Sequence, residues 1–547
     1  MYKNIIRVIL FTGVFTLGSL ISCKKNFLVT NNPNQLTEAQ FWKSESDVMS
    51  AIASVYSPLR VPLSGYWGAF RGFQDINAMG DDVYTIPGEE PATWQVATFV
   101  YDSKNDDVSS IFSSLYKSIY RANLVLANIG KVPMDAAKTN AYIAEVKFLR
   151  GLCYFTLASN FGDVPLKTAP AYTASDEFIA SSPAADVYKQ AITDLSGAAA
   201  GLPVSRPSAD LGRATSGAAL AFLGKTYLFT KDYAKAESTL AQLYSAPYSY
   251  GLTSNYEDNF TDKNEFNQEA VFQWVYGPYG SPYNPWGEEG GGAGMYNYRP
   301  QLIGPPGGGG WFKYVPSNFL LQEFTRELRP GGSDTKFDKR MYGTLTWDYS
   351  AFGETPVKWY GGSESFGDLW SSAETKISRF YPAYPLDTVN PGKFLIKKFT
   401  SAWSNVAGAD NYWGATPSTA NVEVMRFAEV LLMHAEAAVQ VNKLPDAIAD
   451  LKTIRDRAGL TVKTAADLPD AASIMAEIQH QKILELFFEQ NRWNDLKRWY
   501  TPAGLSAHMV SVKKQGAANL QPKHYVFPIP AGELQTNNKI DQNPLWK

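Results

Sequence analysis

Two stretches of the chain carry small residues at the positions where a pair of antiparallel helices comes close together. In residues 219–240, Gly224 and Ala236 stand among leucines and a tyrosine at helical spacing, and residues 431–460 hold a weaker copy of the same pattern. Small side chains let two helices approach closely, but such a pair cannot bury its apolar faces alone and has to stack on further helices. We therefore expect the chain to fold as a stack of helices.

The spacings are those of a tetratricopeptide unit (TPR). The positions that carry it are Leu220, Leu223, Gly224, Tyr227, Ala236 and Leu240 in the first copy, and Leu431, Ala435, Ala438, Ala447 and Leu451 in the second. Since the copies lie far apart in the chain, we expect a small TPR-like helical superhelix assembled from parts distant in sequence.

The N-terminal half is predicted to be helical throughout. Val48, Ile52, Val55 and Leu59 recur at the spacing of an amphipathic helix, with Ser46 and Asp47 available at its start. The same period returns in residues 111–129 and 144–161. Together with the two helix pairs, this pattern predicts a mostly α fold.

The composition changes in residues 244–418, which are rich in Gly, Pro, Tyr and Trp and show no sustained helical period. Disorder is the alternative for the glycine runs, but disordered segments are usually poor in aromatic residues. We therefore expect a long irregular, loop-rich region containing short helices and strands, and loops of this length are usually functional.

The first 23 residues have the anatomy of a secretory signal. Lys3 and Arg7 precede an apolar run over residues 8–21, and the small Ser22 comes just before Cys23. The sequence ending at Cys23 resembles a bacterial lipobox, which predicts a signal peptide at 1–22 and a lipidated N-terminal segment at 23–45. A buried thiol or a disulfide to Cys153 are the alternatives, but a cysteine at the end of the apolar run would lie at a cleaved terminus. Anchoring by several acyl chains is stable.

Composition speaks against several classes of function. The formal net charge is −3 and no basic patch is present, so a nucleic-acid role is not supported. The four histidines, at positions 434, 480, 508 and 524, are too scattered to assemble a zinc-type cluster. We predict no metal site and no cofactor.

Several motifs then follow one another in a recognisable order. They are the stretches LYKSIYRANLVLANI (115–129), AEVKFLRGLCYFTLASNFGDVPL (144–166), RFAEVLLMHAEA (426–437), ELFFEQNRWNDLKRW (485–499), FPIPAGEL (527–534) and DQNPLWK (541–547). On these motifs the chain resembles the SusD/RagB family, the surface lipoproteins of Bacteroidota that work beside SusC-type TonB-dependent transporters. It departs from the family pattern at Gln481-Lys482, at Gln490 and at Leu545-Trp546, and Lys24-Lys25-Asn26 replaces the acidic run often associated with surface export.

The resemblance implies one intertwined globular unit. Its parts would be an N-terminal helical part at 46–243, a variable aromatic region at 244–418 and a C-terminal helical part at 419–547. It also implies an outer-membrane location with the lipid-anchored protein facing the cell exterior, although a tether that faces the periplasm is the alternative.

The charged motif residues have a structural interpretation that we prefer. Arg426 with Glu429 and Glu489 with Arg492 stand at i, i+3 spacing on predicted helices, where ion pairs hold neighbouring turns together; Glu145 with Arg150 is read in the same way. A catalytic carboxylate pair is the alternative, but adjacent acids such as Asp81-Asp82 do not establish the facing geometry of glycoside hydrolysis. A calcium site at Asp81-Asp82 lacks an EF-hand loop.

The loop aromatics suit ligand binding. A sugar needs flat aromatic platforms for its C–H faces and a few polar side chains for its hydroxyls. By likeness to family members with glycan ligands, which place an aromatic arc on such loops, the predicted ligand-binding residues are Tyr66, Trp67, Trp94, Tyr296, Arg299 and Trp311, with Tyr298 and Tyr314 beside them. Each of these aromatics also has a core-packing interpretation.

The function that follows is a non-catalytic cell-surface protein that captures an oligosaccharide and acts as a lid on a SusC-like TonB-dependent transporter. A peptide is the other possible ligand. The alternatives are a surface glycoside hydrolase, which would need an enclosed carboxylic acid pair, and a TPR-type scaffold that binds proteins or peptides.

Overall fold

The computed structural model describes residues 41–61, 65–68, 71–87, 91–277, 297–308, 310–356, 365–400 and 418–547. Helices dominate these ranges. In the N-terminal part they are α1 (Glu45–Arg60), α2 (Gly72–Ala78), α3 (Pro91–Ala97), α4 (Asp106–Asn128), α5 (Ala136–Phe161), α6 (Ala174–Glu177), α7 (Ala184–Gly201), α8 (Ser216–Phe229) and α9 (Tyr233–Leu240). In the central region they are α10 (Arg299–Ile303), α11 (Asn318–Thr325), α12 (Lys339–Thr344), α13 (Phe366–Phe380) and α14 (Leu386–Val389). The C-terminal helices are α15 (Phe427–Gln440), α16 (Leu444–Ala458), α17 (Ala471–Glu485), α18 (Arg492–Trp499), α19 (Pro502–Ser511) and α20 (Ala531–Thr536).

The strands are short and form two-stranded antiparallel sheets. They are β1 (Val83–Thr85), β2 (Val164–Pro165), β3 (Ser181–Ser182), β4 (Ala270–Trp274), β5 (Tyr314–Pro316), β6 (Leu345–Thr346), β7 (Leu395–Ile396) and β8 (Val422–Arg426). The pairs are β1 with β5, β2 with β3, β4 with β8 and β6 with β7. Two of these pairs join the central region to its flanks, since β1 and β8 lie outside it.

The predicted helix pairs are present. Gly224 on α8 faces α9 so closely that a Cβ added to it would lie 2.5 Å from Leu240 Cγ, which explains why a residue without a side chain stands there. The second copy forms α15 and α16, and α9 contacts α15, so the two copies stack on each other. The prediction of a TPR-like superhelix built from distant segments is confirmed.

The central region is ordered around two apolar clusters, which it shares with its flanks in the ranges that are described. One cluster gathers Trp347, Tyr298 and Phe394, and another gathers Trp370, Phe312 and Leu395. These aromatic side chains supply the buried area that the region's short helices and strands cannot supply individually. The expected short helices and strands are therefore held by tertiary packing.

A buried ion cluster lies where six segments that are distant in sequence meet, and we call it the Arg426 cluster. Arg426 Nη1 donates to Glu269 and, at 3.0 Å, to Glu485, while its Nη2 lies 2.7 Å from Glu489. Arg340, Lys398 and Arg457 bring further positive charges to the same carboxylates. Arg426, Glu269 and Glu485 side chains are fully buried.

The predicted sequence-local ion pairs are wrong in their partners. Glu429 pairs with Lys225 at 2.6 Å, because Arg426 ends strand β8 rather than sharing a helix with Glu429. Arg492 pairs with Asp81 at 2.6 Å, since Glu489 lies in the turn before α18. The remaining pair also separates: Arg150 binds Asp194 and Glu145 binds Arg206 and Arg213. The charged motif residues are structural, but they join elements instead of turns of one helix.

We expect Arg426→Ala to lower the free energy of unfolding by about 3–5 kcal/mol, because it would remove the positive charge that three buried carboxylates share and leave their negative charges only partly offset. The measurement is the urea unfolding midpoint. Lys452→Ala is the control, since Lys452 pairs with Asp456 at the surface and both side chains are about half exposed. Equal midpoints for the two variants would contradict the structural importance of the Arg426 cluster.

Candidate ligand-binding site

A cleft of about 640 Å³ opens between β1, α3, residues 380–389 and the turn at 513–515. Its volume lies within the range of roughly 300–1,000 Å³ that small-molecule sites occupy. The aromatic side chains that line it are Tyr84, Trp94, Phe380, Tyr381 and Tyr384. We call it the Trp94 cleft.

Hydrogen bonds to the C-terminal turn hold one wall of the Trp94 cleft. Gln515 Oε1 accepts from the backbone N and from the hydroxyl of Thr85, each at 3.1 Å, and Gln515 Nε2 donates to Thr85 O at 3.1 Å. Tyr84 adds a bond from its hydroxyl to Lys513 O at 3.2 Å. Strand β1 thus pairs with β5, and the side chain of Gln515 makes two further hydrogen bonds to its backbone.

The same turn approaches the end of α3, the helix that carries Trp94. Gly516 has φ +74°, and a Cβ on it would lie 2.4 Å from Thr98 Cα. Only glycine fits this backbone conformation at this distance. Thr98 in turn donates its hydroxyl to Trp94 O at 2.7 Å, and Asn519 donates to Thr98 O at 3.0 Å. The position of Trp94 is therefore fixed from the far end of the chain.

Another part of the lining comes from the end of helix α13 and from the residues that follow it. Phe380 ends this helix with 54% of its surface exposed, and Trp94 is half-buried, so both rings present area to a ligand. Tyr384 is buried, and its hydroxyl has no hydrogen-bond partner among the residues that the structure describes. Burial raises the pKa of Tyr384, so this hydroxyl stays protonated and is able to donate.

Charged side chains bind the residues at and just before strand β1. Arg492 donates to both carboxylate oxygens of Asp81 at 2.6 and 2.8 Å, and His508 Nε2 lies 2.7 Å from Asp81 Oδ2. Lys514 donates to Ala78 O and Val83 O. Burial and the neighbouring Asp81 raise the pKa of Asp82 to about 7.

Three of the residues predicted to bind ligand lie in the interior. Tyr66 and Trp67 are 5% and 6% exposed and pack edge to face at 4.6 Å between ring centroids. Arg299 is 1% exposed, and its guanidinium carbon lies 3.9 Å from the Phe73 ring centroid; burial lowers its pKa to about 9. The segments that carry these side chains fold onto the core, so none of the three lines the Trp94 cleft. Tyr298 and Tyr314 are buried as well.

The other predicted residues divide into two groups. Trp94 lines the cleft, and Trp311 is half-buried with Lys313 Nζ 5.3 Å from its ring centroid. Tyr296 and Cys23 lie outside the described residues. The cleft residues that the sequence prediction missed are Tyr84, Phe380, Tyr381 and Tyr384; the alternation of aromatics and prolines in residues 380–385 is the signal that could have found the last three.

The described part of the chain shows neither a metal-binding cluster nor a membrane-spanning helix. Within the described ranges, no three side chains of His, Cys, Asp or Glu come together in a way that could hold a metal ion. In the same part of the chain, no helix is both long enough and apolar enough to span a bilayer.

Comparison with known proteins points in one direction along the whole chain. The family model described as the SusD family matches residues 268–546, and the model described as "Starch-binding associating with outer membrane" matches residues 26–228. The chain is 25% identical over 551 residues to SusD-like protein P25 of Formosa agariphila, and this alignment covers 96% of each protein.

Solved structures agree with the fold. A SusD superfamily protein from Bacteroides vulgatus has 27% sequence identity and a TM-score of 0.77, with 92% of this chain and 100% of that chain covered. A structure described as a laminarin binding SusD-like protein has 24% identity and a TM-score of 0.70, with the same coverage, and shows the shared fold. The predicted mostly α fold with a TPR-like scaffold is confirmed.

Asp82 predicts a dependence of stability on pH. A carboxyl group whose pKa rises on folding from 3.8 to about 7 stabilises the native state fully below its unfolded pKa, and this contribution is lost as the pH rises through about 7. We expect the urea concentration at the unfolding midpoint to decrease as the pH is raised from about 5 to about 8. Other carboxylates no longer titrate in the unfolded chain in this range. Asp82→Asn should flatten this slope. An unchanged slope in the variant would contradict the assignment to Asp82.

Proposed function

The chain belongs to the SusD family, and on that premise we propose that it is a non-catalytic glycan-binding protein of the outer membrane that captures an oligosaccharide in the Trp94 cleft. The observation that carries this proposal is the pair of accessible rings, Trp94 and Phe380, in the lining of one cleft. Apolar faces of pyranose rings stack on such surfaces, and the polar edge groups fix their orientation.

Polar groups for the sugar hydroxyls stand between the aromatic walls. Asn318, Thr388 and Lys513 line the cleft and offer an amide, a hydroxyl and an ammonium group. Groups of this kind donate to or accept from sugar hydroxyls. Trp311 and Tyr296 remain proposed contributors to the rim, as the sequence predicts.

We propose a glucan as the first ligand class to test. One structure of the same fold is described as laminarin binding. Laminarin is a neutral glucan, and Lys513 is the only charged side chain in the described lining of the Trp94 cleft. A mainly uncharged aromatic cleft favours a neutral sugar over a polyanion.

The proposed role at the membrane has two parts. Cys23 carries a lipid anchor that places the protein on the outer face of the outer membrane, and the protein acts as a lid on a SusC-like TonB-dependent transporter. The lipid tether keeps the protein in the same membrane as the transporter and so raises its effective concentration there. A modest intrinsic contact between the two proteins is then sufficient. A permanent complex of this kind would bury more than roughly 2,000 Å².

The cleft argues against the hydrolase alternative. Glycoside hydrolysis uses two carboxyl groups on either side of the scissile bond. None of the described residues that line the Trp94 cleft is an Asp or a Glu. The alternative of a TPR scaffold for peptides or proteins leaves the aromatic walls unexplained.

Phe380→Ala tests the capture site. Because the side chain is 54% exposed, its removal should leave the fold intact while removing one stacking surface, and we expect the Kd for a bound glucan to rise at least about tenfold. Calorimetry against laminarin and starch fragments measures the affinity, and chromatography of the same samples detects cleavage products. Leu328→Ala is the matched control, with 53% exposure and no place in the cleft. Equal affinities of the two variants would refute the site, and released sugars would refute the non-catalytic role.

Cys23→Ser tests the anchor. A serine has no thiol to accept the lipid, so we expect the variant to lack the mass of the acyl chains, to remain uncut at the signal and to be absent from the outer-membrane fraction of cells. The measurements are membrane fractionation and the mass of the purified chain. Cys153→Ser is the control, because Cys153 is a buried free cysteine and should not affect membrane attachment. Equal membrane attachment of both variants would contradict lipidation at Cys23.

A further inference from the structure

A second cleft, of about 400 Å³, lies between the loop at 203–215 and residues 247–251 and 266–273. Its lining shares no residue with the Trp94 cleft. The tyrosines Tyr248 and Tyr250 line it together with polar side chains that include Arg206 and Gln268. We call it the Tyr248 cleft.

The aromatic side of the Tyr248 cleft is a row of stacked rings. Tyr248 and Tyr250 are nearly parallel, with an interplanar angle of 10° and 6.0 Å between centroids, and Tyr250 stacks in turn on Phe427 at 5.9 Å. Tyr248 ends the row, since no other described ring contacts it. It is half-buried, so part of its surface remains available to a ligand.

Neighbouring residues fix this row in place. The Tyr248 hydroxyl lies 3.0 Å from Ser216 Oγ. A Cβ added to Gly217 would lie 2.2 Å from the Tyr250 hydroxyl oxygen, so the absence of a side chain at this position makes room for the ring. The platform therefore exists before any ligand arrives, which reduces the entropy cost of binding.

The polar side is equally well anchored. Arg206 donates Nε and Nη2 to Ala214 O at 2.9 and 2.7 Å, and no described acceptor occupies its Nη1. Gln268 donates Nε2 to Leu252 O at 2.6 Å, and in the same ranges nothing donates to its Oε1. One free donor and one free acceptor match a sugar hydroxyl, which both donates and accepts.

The charge balance favours a neutral ligand. Arg206 and Arg213 are the charged side chains of the described lining. Both pair with the buried Glu145, and Arg213 also pairs with Asp210 at 2.9 Å. Two positive charges thus face two negative charges, and an anion such as a phosphate would find no net attraction.

We propose that the Tyr248 cleft is a second saccharide-binding site, which stacks a neutral pyranose unit on Tyr248 and orients it through Arg206 and Gln268. The proposal deepens the proposed glycan-binding function and rests on it, since the second site would hold another unit of the same glycan or a second chain of it. A polysaccharide held at two sites on one protein dissociates more slowly than one held at either site.

Hydrogen exchange measured by mass spectrometry on the full-length chain in detergent tests the proposal. The probes are laminarihexaose, cellohexaose, maltohexaose and, as a peptide, tetra-alanine. We expect at least one hexasaccharide to slow exchange in residues 247–251 and 266–273 as well as in residues 380–389. In Phe380→Ala the protection at 247–251 should persist, because the two clefts are separate.

Two variants of the second cleft and one control locate the effect. Tyr248→Ala should raise the Kd read from protection at 266–273 at least about tenfold while protection at 380–389 is unchanged. If Tyr248→Ala does not fold, Gln268→Ala replaces it, since Gln268 is exposed and its loss removes a single side-chain bond. Tyr120→Ala is the control, because this tyrosine is 46% exposed and lines neither cleft; it should leave both protections unchanged.

Other outcomes would overturn the proposal in distinguishable ways. Protection at 380–389 alone would refute the second site and leave the proposed function standing. Protection at 247–251 by tetra-alanine and by no sugar would make the cleft a peptide site. Absence of protection at both clefts with every hexasaccharide would refute the second site together with the glucan assignment of the first.

Discussion

The buried charge of Arg426 is the constraint on which the fold depends. Burying a guanidinium is costly unless carboxylates offset its charge, and here Glu269, Glu485 and Glu489 come from two other regions of the chain. The central region, strand β8 and the end of α17 must therefore be packed together before the charge of Arg426 is offset. This requirement joins the irregular central region to the helical C-terminal part more specifically than apolar packing would, since an apolar contact tolerates small displacements that an ion cluster does not.

The Arg426 cluster also reaches the Trp94 cleft through a short run of chain. Directly after Glu489, the backbone N of Gln490 donates to Asn77 at 2.9 Å, and Arg492 clamps Asp81. Asn77 and Asp81 lie just before β1, the strand whose Tyr84 lines the cleft. One motif, residues 485–492, thus connects the core to the wall of the Trp94 cleft, which explains why its charged residues are structural although they lie near the proposed binding site.

The sequence predicted what local spacing determines and failed where tertiary structure decides. Gly224 and the second helix pair were correct, because helix period and close approach are properties of short segments. The charged residues were recognised, but their partners were not, since Arg426 meets Glu269 across more than a hundred residues of chain. Trp94 lines the cleft, whereas Tyr66 and Trp67 are buried. An aromatic residue in a loop has the same local pattern in either place, and only the fold decides which face remains exposed.

The two clefts differ in how their rings are supported, and this difference bears on specificity. In the Tyr248 cleft the rings continue a stack that ends on helix α15, so they move only if the scaffold moves. In the Trp94 cleft the outer ring, Phe380, stands at the end of α13 in the variable region, exposed and outside the Arg426 cluster. Substitutions there change the shape of the cleft at little cost to the core, because exposed side chains contribute little to stability. On the proposed function, substitutions at Phe380 would change which ligand the Trp94 cleft takes while the fold is kept.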